Sequence, residues 1–290
     1  MASQLAPARS RVDPWAEIDF SPAPADRFVA PEDHWPAFAS VAMSLAQRMA
    51  MNNLALRFSC EMVAHFERYI VDYLEDHRAR LHDALSERAR SKFVEDERRH
   101  IAGFLRLLAA LRPSAYPEPR LAFFRWDGWD RTVVRWAPAV TFFVATDLLE
   151  EMFLHVHGVM EDCPEQTFAP AREVMALHAR EELRHLGWDQ QVISARRAVL
   201  PRWRFALEAL ASVLIVLLVD VKTARAWRRA VRAHASEMGL TGAQTRALAK
   251  KRMSRSDVLG LRAFIERRRR KPFPGSRLLC AILSLALPRP

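Results

Sequence analysis

At 290 residues the chain is long enough to bury a sizeable core, and with half its residues hydrophobic it falls among globular rather than disordered sequences. Only 8 glycines, with no runs of Val, Ile, Thr and Tyr set between Gly turns, exclude a sheet-rich fold and point to an all-α protein. The net charge of +10 is uneven. Residues 221–290 hold 18 Lys/Arg against 3 Asp/Glu (+15), which leaves 26 against 31 (−5) in residues 1–220, so a carboxylate-using core and a basic C-terminal section differ in kind.

Residues 1–36 contain Pro7, Pro14, Pro22, Pro24, Pro31 and Pro36, which exclude a long helix. The interleaved Trp15, Phe20, Phe28 and Trp35 predict an arm packed over helices, since disordered tails are poor in aromatics. The start lacks a basic stretch followed by an apolar one, so no secretory signal is read. Three widely spaced cysteines, Cys60, Cys163 and Cys280, argue against a disulfide framework and a Cys-type zinc site. A reducing cytoplasm is the expected location.

Helical spacing of Leu54, Phe58, Met62, Phe66, Tyr69, Ile70 and Leu74 predicts a first helix over residues 38–80. A second, over 86–111, is stopped by Pro113 and carries Asp96, Glu97 and His100 among Phe93, Ile101, Phe104, Leu107 and Leu108. Residues 112–136, rich in Pro, Arg and Trp, read as a long crossover. The third helix, 137–160, is apolar round most of its circumference, with Asp147, Glu150, Glu151, His155 and His157 as its polar members. A fourth, 171–198, holds His178, Glu182 and His185. After Pro201, residues 205–221 include eleven uncharged residues from 209 to 219, short of the ~20 a membrane span needs, and predict a buried packing helix. Residues 225–277 read as a basic helical stretch including Arg267-Arg268-Arg269-Arg270-Lys271, and 278–287 as an apolar tail. The division expected is an arm (1–36), a helical bundle (37–200) and a basic extension (201–290).

Glu97/His100 and Glu182/His185 are two Glu-x-x-His pairs. On a helix, residues three apart share a face, so each pair delivers one carboxylate and one imidazole to the same point. Two such pairs on separate helices, with a Glu from each of two others, are the inward-facing pattern of a di-iron or di-manganese bundle. Carboxylates offset the metal charge, and imidazoles complete the coordination without adding more.

On the first helix the donor is Glu61 or Glu67. Paired with Glu97, they centre a hairpin on residues 79 ((61+97)/2) and 82 ((67+97)/2), and neither is excluded. Glu61, beside Leu54, Phe58 and His65, is favoured over Glu67, which precedes Arg68. On the third helix Glu151, on the side of Val144, Leu148 and His155, is favoured over Glu150. Asp96 reads as an outer carboxylate orienting an imidazole. His178, one turn before Glu182, adds a further imidazole to the usual set.

With Glu61, then Asp96-Glu97-x-x-His100, then Glu151, then His178-x-x-x-Glu182-x-x-His185, residues 40–195 resemble the p-aminobenzoate N-oxygenase family of di-iron oxygenases, within the ferritin-like superfamily. The intervals are similar to the family's and support Glu61 and Glu151 over their rivals. The resemblance implies a ferritin-like four-helix bundle with a long crossover, flanked here by the N-terminal arm and extra C-terminal helices. It implies a metal set of Glu61, Glu97, His100, Glu151, His178, Glu182 and His185 holding two Fe ions, with Mn as the other candidate metal. It further implies O2 as co-substrate, an external electron donor, and oxygenation of an amine such as an arylamine. A homodimer is the expected assembly. Two other classes compete: a ferritin-like protein handling iron or peroxide, against which His178 argues, and a di-metal protein whose basic C-terminal part contacts nucleic acid or anionic membrane.

Overall fold

The computed structural model describes residues 13–24, 26–32, 38, 40–115 and 121–250, with residues 152, 155, 156, 158 and 159 described in their backbone only. The basic run 267–271, the apolar tail 278–287, Cys280 and the side chain of His155 lie outside the described residues. Among the described residues there are eight α-helices and no strand: Leu45–Asp76 (α1), Arg78–Leu81 (α2), Glu87–Leu111 (α3), Gly128–Trp136 (α4), Ala139–Glu161 (α5), Ala169–Val199 (α6), Arg202–His234 (α7) and Gly242–Lys250 (α8). It is a ferritin-like helical bundle.

Local chemistry sets the helix ends. Ser44 caps α1 in a capping box with Gln47, Ser86 accepts from the Ala89 N–H at the start of α3, and Asp127 caps α4 together with Asp130. Pro170 occupies the first turn of α6, where its missing N–H costs nothing. α1 ends earlier than residue 80, because the chain turns at His77 into the short α2.

α1 pairs with α3 and α5 with α6, while α3 also packs on α6. Aromatic contacts join the two hairpins: Tyr73 stacks on Phe142 with centroids 3.7 Å apart, and Phe66 meets Phe153 at 5.9 Å. The crossover holds a helix, α4, that the Pro- and Trp-rich composition of 112–136 did not announce. Its Asp130, fully buried, accepts from Tyr69 of α1 and Lys222 of α7 and lies 3.5 Å from the His65 imidazole, tying three elements together. The described residues of the Pro-rich arm, 13–24 and 26–32, pack on the bundle. Asn52 accepts from the N–H groups of Val29 and Ala30 and donates to the Ala30 carbonyl, and Trp15 fills the hollow over Gly103. A Cβ at Gly103 would come within 2.2 Å of the Trp15 ring, so any larger residue there expels it.

α7 runs unbroken from Arg202 to His234, across the boundary expected near residue 221. One face, with Phe205, Ala209, Ser212, Val213 and Val216, is buried on the bundle side, where α7 packs against α5. The opposite face is exposed, so the packing helix expected over 205–221 is buried on one side only. No single described helix is long and apolar enough to cross a membrane; α4 and the first half of α5 pass together but are bent by 117°.

Removing the Asp130 carboxylate should leave Lys222 and Tyr69 without their shared acceptor. For Asp130→Ala we expect a loss of about 3–5 kcal/mol, the usual cost of breaking a buried ion pair, read as a lower urea midpoint with the slope unchanged.

Candidate metal centre

Six buried donors from three helices converge in the bundle interior. α3 contributes Glu97 and His100, α6 contributes His178, Glu182 and His185 at helical spacings of four and three, and α1 contributes Glu67. Two donor sets, Glu67/His100/His178/Glu182 and Glu97/His100/Glu182/His185, each have all their ligand atoms within 4.8 Å of one another. His178 Nε2 lies 2.9 Å from Glu67 Oε1 and 3.1 Å from Glu182 Oε1. His185 Nδ1 lies 3.0 Å from Glu97 Oε1 and 3.4 Å from Glu182 Oε1.

The outward nitrogens of two of these imidazoles are held in a reciprocal arrangement. His100 Nε2 is 3.0 Å from Glu181 of α6, and His185 Nε2 is 3.5 Å from Asp96 of α3, so each helix supplies the acid that orients the other helix's histidine. Arg99 bonds Asp96 and reaches Glu181 at 3.4 Å; Arg184 bonds Asp96 at 2.6 Å and reaches Glu181 at 3.8 Å. The Trp15 indole N–H donates to Glu181 at 3.3 Å, and its ring centroid lies 5.5 Å from that of His100. This frame turns both Nδ1 atoms inward. The sequence carries its signal twice, as acid-Glu-x-Arg-His in residues 96–100 and 181–185; Asp96 was read from it, whereas Glu181, Arg99 and Arg184 were missed.

The electrostatics follow from burial and pairing. Burial opposes ionisation of Glu97, but the His185 and His100 imidazoles overcome it and hold the carboxyl down to about 2. Burial disfavours the His100 cation, yet its bonds to Glu181 and Glu97 raise it to about 10, and Glu97 and Glu182 similarly lift His185 well above the ordinary range. His178 goes the other way: burial outweighs Glu182, and it falls to about 4, a neutral imidazole. Burial pushes the carboxyls of Glu150 and Asp189 well up, reinforced for Glu150 by Asp189, Glu182 and Glu97 and for Asp189 chiefly by Asp147.

These residues fit a pair of metal ions. Glu67 Oε2, Glu97 Oε1, both oxygens of Glu182 and His185 Nδ1 are buried without a hydrogen bond of acceptable geometry, although oppositely charged partners stand nearby; both oxygens of Glu150 are likewise buried, outside the two donor sets but close enough to Glu182 and Glu97 to feel their charge. Buried polar atoms are rarely left so, and lone pairs aimed at a common point are what a cation satisfies. The carboxylates of Glu67, Glu97, Glu150 and Glu182 would balance two divalent ions. Glu182 belongs to both donor sets and carries two oxygens, so it is suited to sharing, whereas His100 has only Nδ1 facing inward and can serve one.

Of the seven residues expected to ligate, Glu97, His100, His178, Glu182 and His185 come together. Glu61 stands outside both donor sets. Its Oε2 accepts from the Phe123 N–H at 2.6 Å and the Phe124 N–H at 3.4 Å, which fastens the crossover to α1. Phe123 in turn floors a basic cleft of about 980 Å³ with Arg125, Arg225 and Arg229 in its walls. Six residues of helix turn a side chain about 120° away, which takes Glu67 to the interior that Glu61 does not reach. On α5, Glu150 and Asp147 are fully buried, Glu150 outside both donor sets, whereas Glu151, about 100° round the helix from Glu150, is only half-buried.

A four-helix core with paired Glu-x-x-His motifs and buried carboxylates around imidazoles defines the class of carboxylate–histidine metal proteins built on the ferritin-like bundle. Within that class the assignment is narrower: the family model "P-aminobenzoate N-oxygenase AurF" matches residues 4–268, and the chain belongs to that family. It is a family of oxygenases, so the protein is an oxidoreductase by membership. No curated protein and no solved structure matched the chain.

In the metal-free protein His100 and His185 carry protons at neutral pH. Because both values are raised on folding, the stability they contribute is fully present below the ordinary histidine value near 6.5, and it is lost as pH climbs through the raised values, about 10 for His100. A metal ion must displace those protons, so affinity should rise between pH 6.5 and 9 by up to about tenfold per unit for each proton lost. Calorimetry of Mn(II) binding at pH 7.5, in two buffers of different ionisation enthalpy, should show net release of more than one proton per chain.

Proposed function

We propose that the protein is an O2-dependent di-iron N-oxygenase acting on a small aromatic amine, with Glu67, Glu97, Glu150 and Glu182 and the imidazoles of His100, His178 and His185 holding two irons. The observation that carries this reading is the convergence of Glu67, His100, His178 and Glu182 in an apolar interior of a chain that belongs to the N-oxygenase family. Two bound irons, reduced by an external electron donor, would supply the O2 activation that no side chain can.

The chain's own residues have definite tasks in this reading. Glu181 and Asp96 hold the His100 and His185 rings with Nδ1 inward, and Arg99 and Arg184 keep those two acids charged and fixed. Phe93, 4.4 Å from the His185 ring, and Phe104, 5.1 Å from His178, exclude water and limit access to reactive species. His178, neutral even without metal, needs no proton removed before it ligates. Its imidazole distinguishes this site from an iron-transit site built mainly on carboxylates. Iron rather than manganese, a cytoplasmic location and a homodimer belong to the same reading.

Protein from iron-supplemented expression should contain about two irons per chain and, once reduced, consume O2 in the presence of arylamines to give hydroxylamine or nitro products; metal-free protein would sink the proposal. Glu67→Ala should lose iron, while Glu61→Ala should keep it and lose stability through the freed Phe123 and Phe124 amides. The reverse outcome would move the first-helix ligand to Glu61. His178→Ala should retain the helical circular dichroism and lower turnover at least about tenfold.

A further inference from the structure

The cleft of about 980 Å³ between the crossover and α7 is lined by none of the metal donors. Four cations line it instead: Arg125 from the crossover, and Lys222, Arg225 and Arg229 from α7. The three on α7 recur at intervals of three and four, so one helical face carries them all along the cleft. Phe123 and Trp129 add aromatic surface, and Leu218, Ala230 and Ala233 add apolar surface on the α7 side. The walls are fastened before any ligand arrives. Glu61 holds the Phe123 N–H at 2.6 Å, and Lys222 donates to the Arg125 carbonyl at 3.1 Å.

Most of this charge is not spent within the protein. Lys222 bonds the buried Asp130 and lies 3.5 Å from Asp127. Arg229 gives one N–H to a neutral acceptor, the Phe123 carbonyl, at 3.2 Å. Arg125 and Arg225 are exposed and meet no carboxylate among the described residues. Other exposed arginines are paired: Arg48, Arg78 and Arg98 hold Glu32, Glu87 and Glu75 at 2.6–2.9 Å. Arg225 and Arg229, like charges at i and i+4, repel one another, and a bound anion would relieve that. A concave wall of one sign also concentrates the field inside it. His234, its Nδ1 on the Ala230 carbonyl at 2.9 Å and pushed below the ordinary histidine value by burial, adds no charge at neutral pH. Four cations against Asp127 and Asp130 leave a charge of +2.

We propose that this cleft binds a phosphate monoester carrying an apolar organic body. The dianion matches the residual charge, whereas a single carboxylate would meet only half of it. Guanidinium groups present paired N–H donors that fit phosphate oxygens, and three of the four cations are arginines. The volume lies at the upper end of small-molecule sites, roughly 300–1,000 Å³, so inorganic phosphate alone would leave most of it unfilled. Phe123, Trp129 and Leu218 are the surface on which the organic body would rest.

Isothermal titration of the full, iron-loaded chain with phenyl phosphate should show one saturable site per chain. Inorganic phosphate and benzoate should each bind at least about tenfold more weakly, lacking the body and the second charge respectively. Arg225→Gln and Arg125→Gln, at exposed positions, should each weaken phenyl phosphate at least about tenfold with helical circular dichroism retained. Arg225→Lys should recover part of the loss. Neutralising Arg267, Arg268 and Arg269 together to Gln should leave the titration unchanged. A titration that survives both Arg225→Gln and Arg125→Gln overturns the proposal, whether the anion then sits on the irons or on residues 267–271. So does benzoate or inorganic phosphate binding as tightly as phenyl phosphate, or no heat up to millimolar phenyl phosphate.

Discussion

The interaction on which the structure depends is the reciprocal holding of imidazoles by carboxylates across α3 and α6. A charged group taken out of water costs several kcal/mol unless it is paired and hydrogen-bonded, and this interior contains Glu67, Glu97 and Glu182 within reach of three histidines. Asp96 and Glu181 make the arrangement tolerable by fixing the outward nitrogens, and Arg99 and Arg184 neutralise those acids in turn. The charges are therefore layered: inward carboxylates and imidazoles, then acids, then arginines close to solvent.

That layering explains the architecture around it. The acids can reach across only if α3 and α6 lie side by side with their motifs at one level, and the heavily apolar α5 and the aromatic contacts from α1 press the two hairpins into that register. The N-terminal arm closes one end, with Trp15 set against Gly103, His100 and Glu181 at once. The crossover is fastened by two buried carboxylates, Glu61 to the Phe123 and Phe124 amides and Asp130 to Tyr69 and Lys222. Buried acids thus serve two purposes in this chain, and burial alone does not tell them apart. The test is where the oxygens point: to backbone and lysine donors in the crossover, and to one another and the imidazoles in the interior.

Much of this was legible from residue types and spacing. Glu97 with His100, and His178 with Glu182 and His185, share faces because a helix repeats every 3.6 residues, and no tertiary information is needed to see it. Glycine scarcity and helical periodicity set the all-α class, and the prolines and aromatics around Trp15 and Phe20 pointed to the packing seen for residues 13–24. Helix length and register were less legible: the crossover hid α4, and α7 ran on through an expected boundary, because local composition does not record which face a neighbouring helix will cover.

The sequence by itself determined the chemistry available: two Glu-x-x-His pairs, an extra imidazole one turn earlier, and single acids on two further helices to supply the remaining carboxylates. Only the tertiary structure decided which carboxylates face that chemistry. Glu61 and Glu67 lie about 120° apart on one helix and Glu150 and Glu151 about 100° apart on another, and all four are acids on largely apolar helices. Rotation of a helix about its own axis is set by how its neighbours pack, not by the residues beside it in the chain. The packing of α1 against α3 brought Glu67 to the donor cluster and set Glu61 against the Phe123 and Phe124 amides, and the packing of α5 against α6 left Glu150 more deeply buried than Glu151.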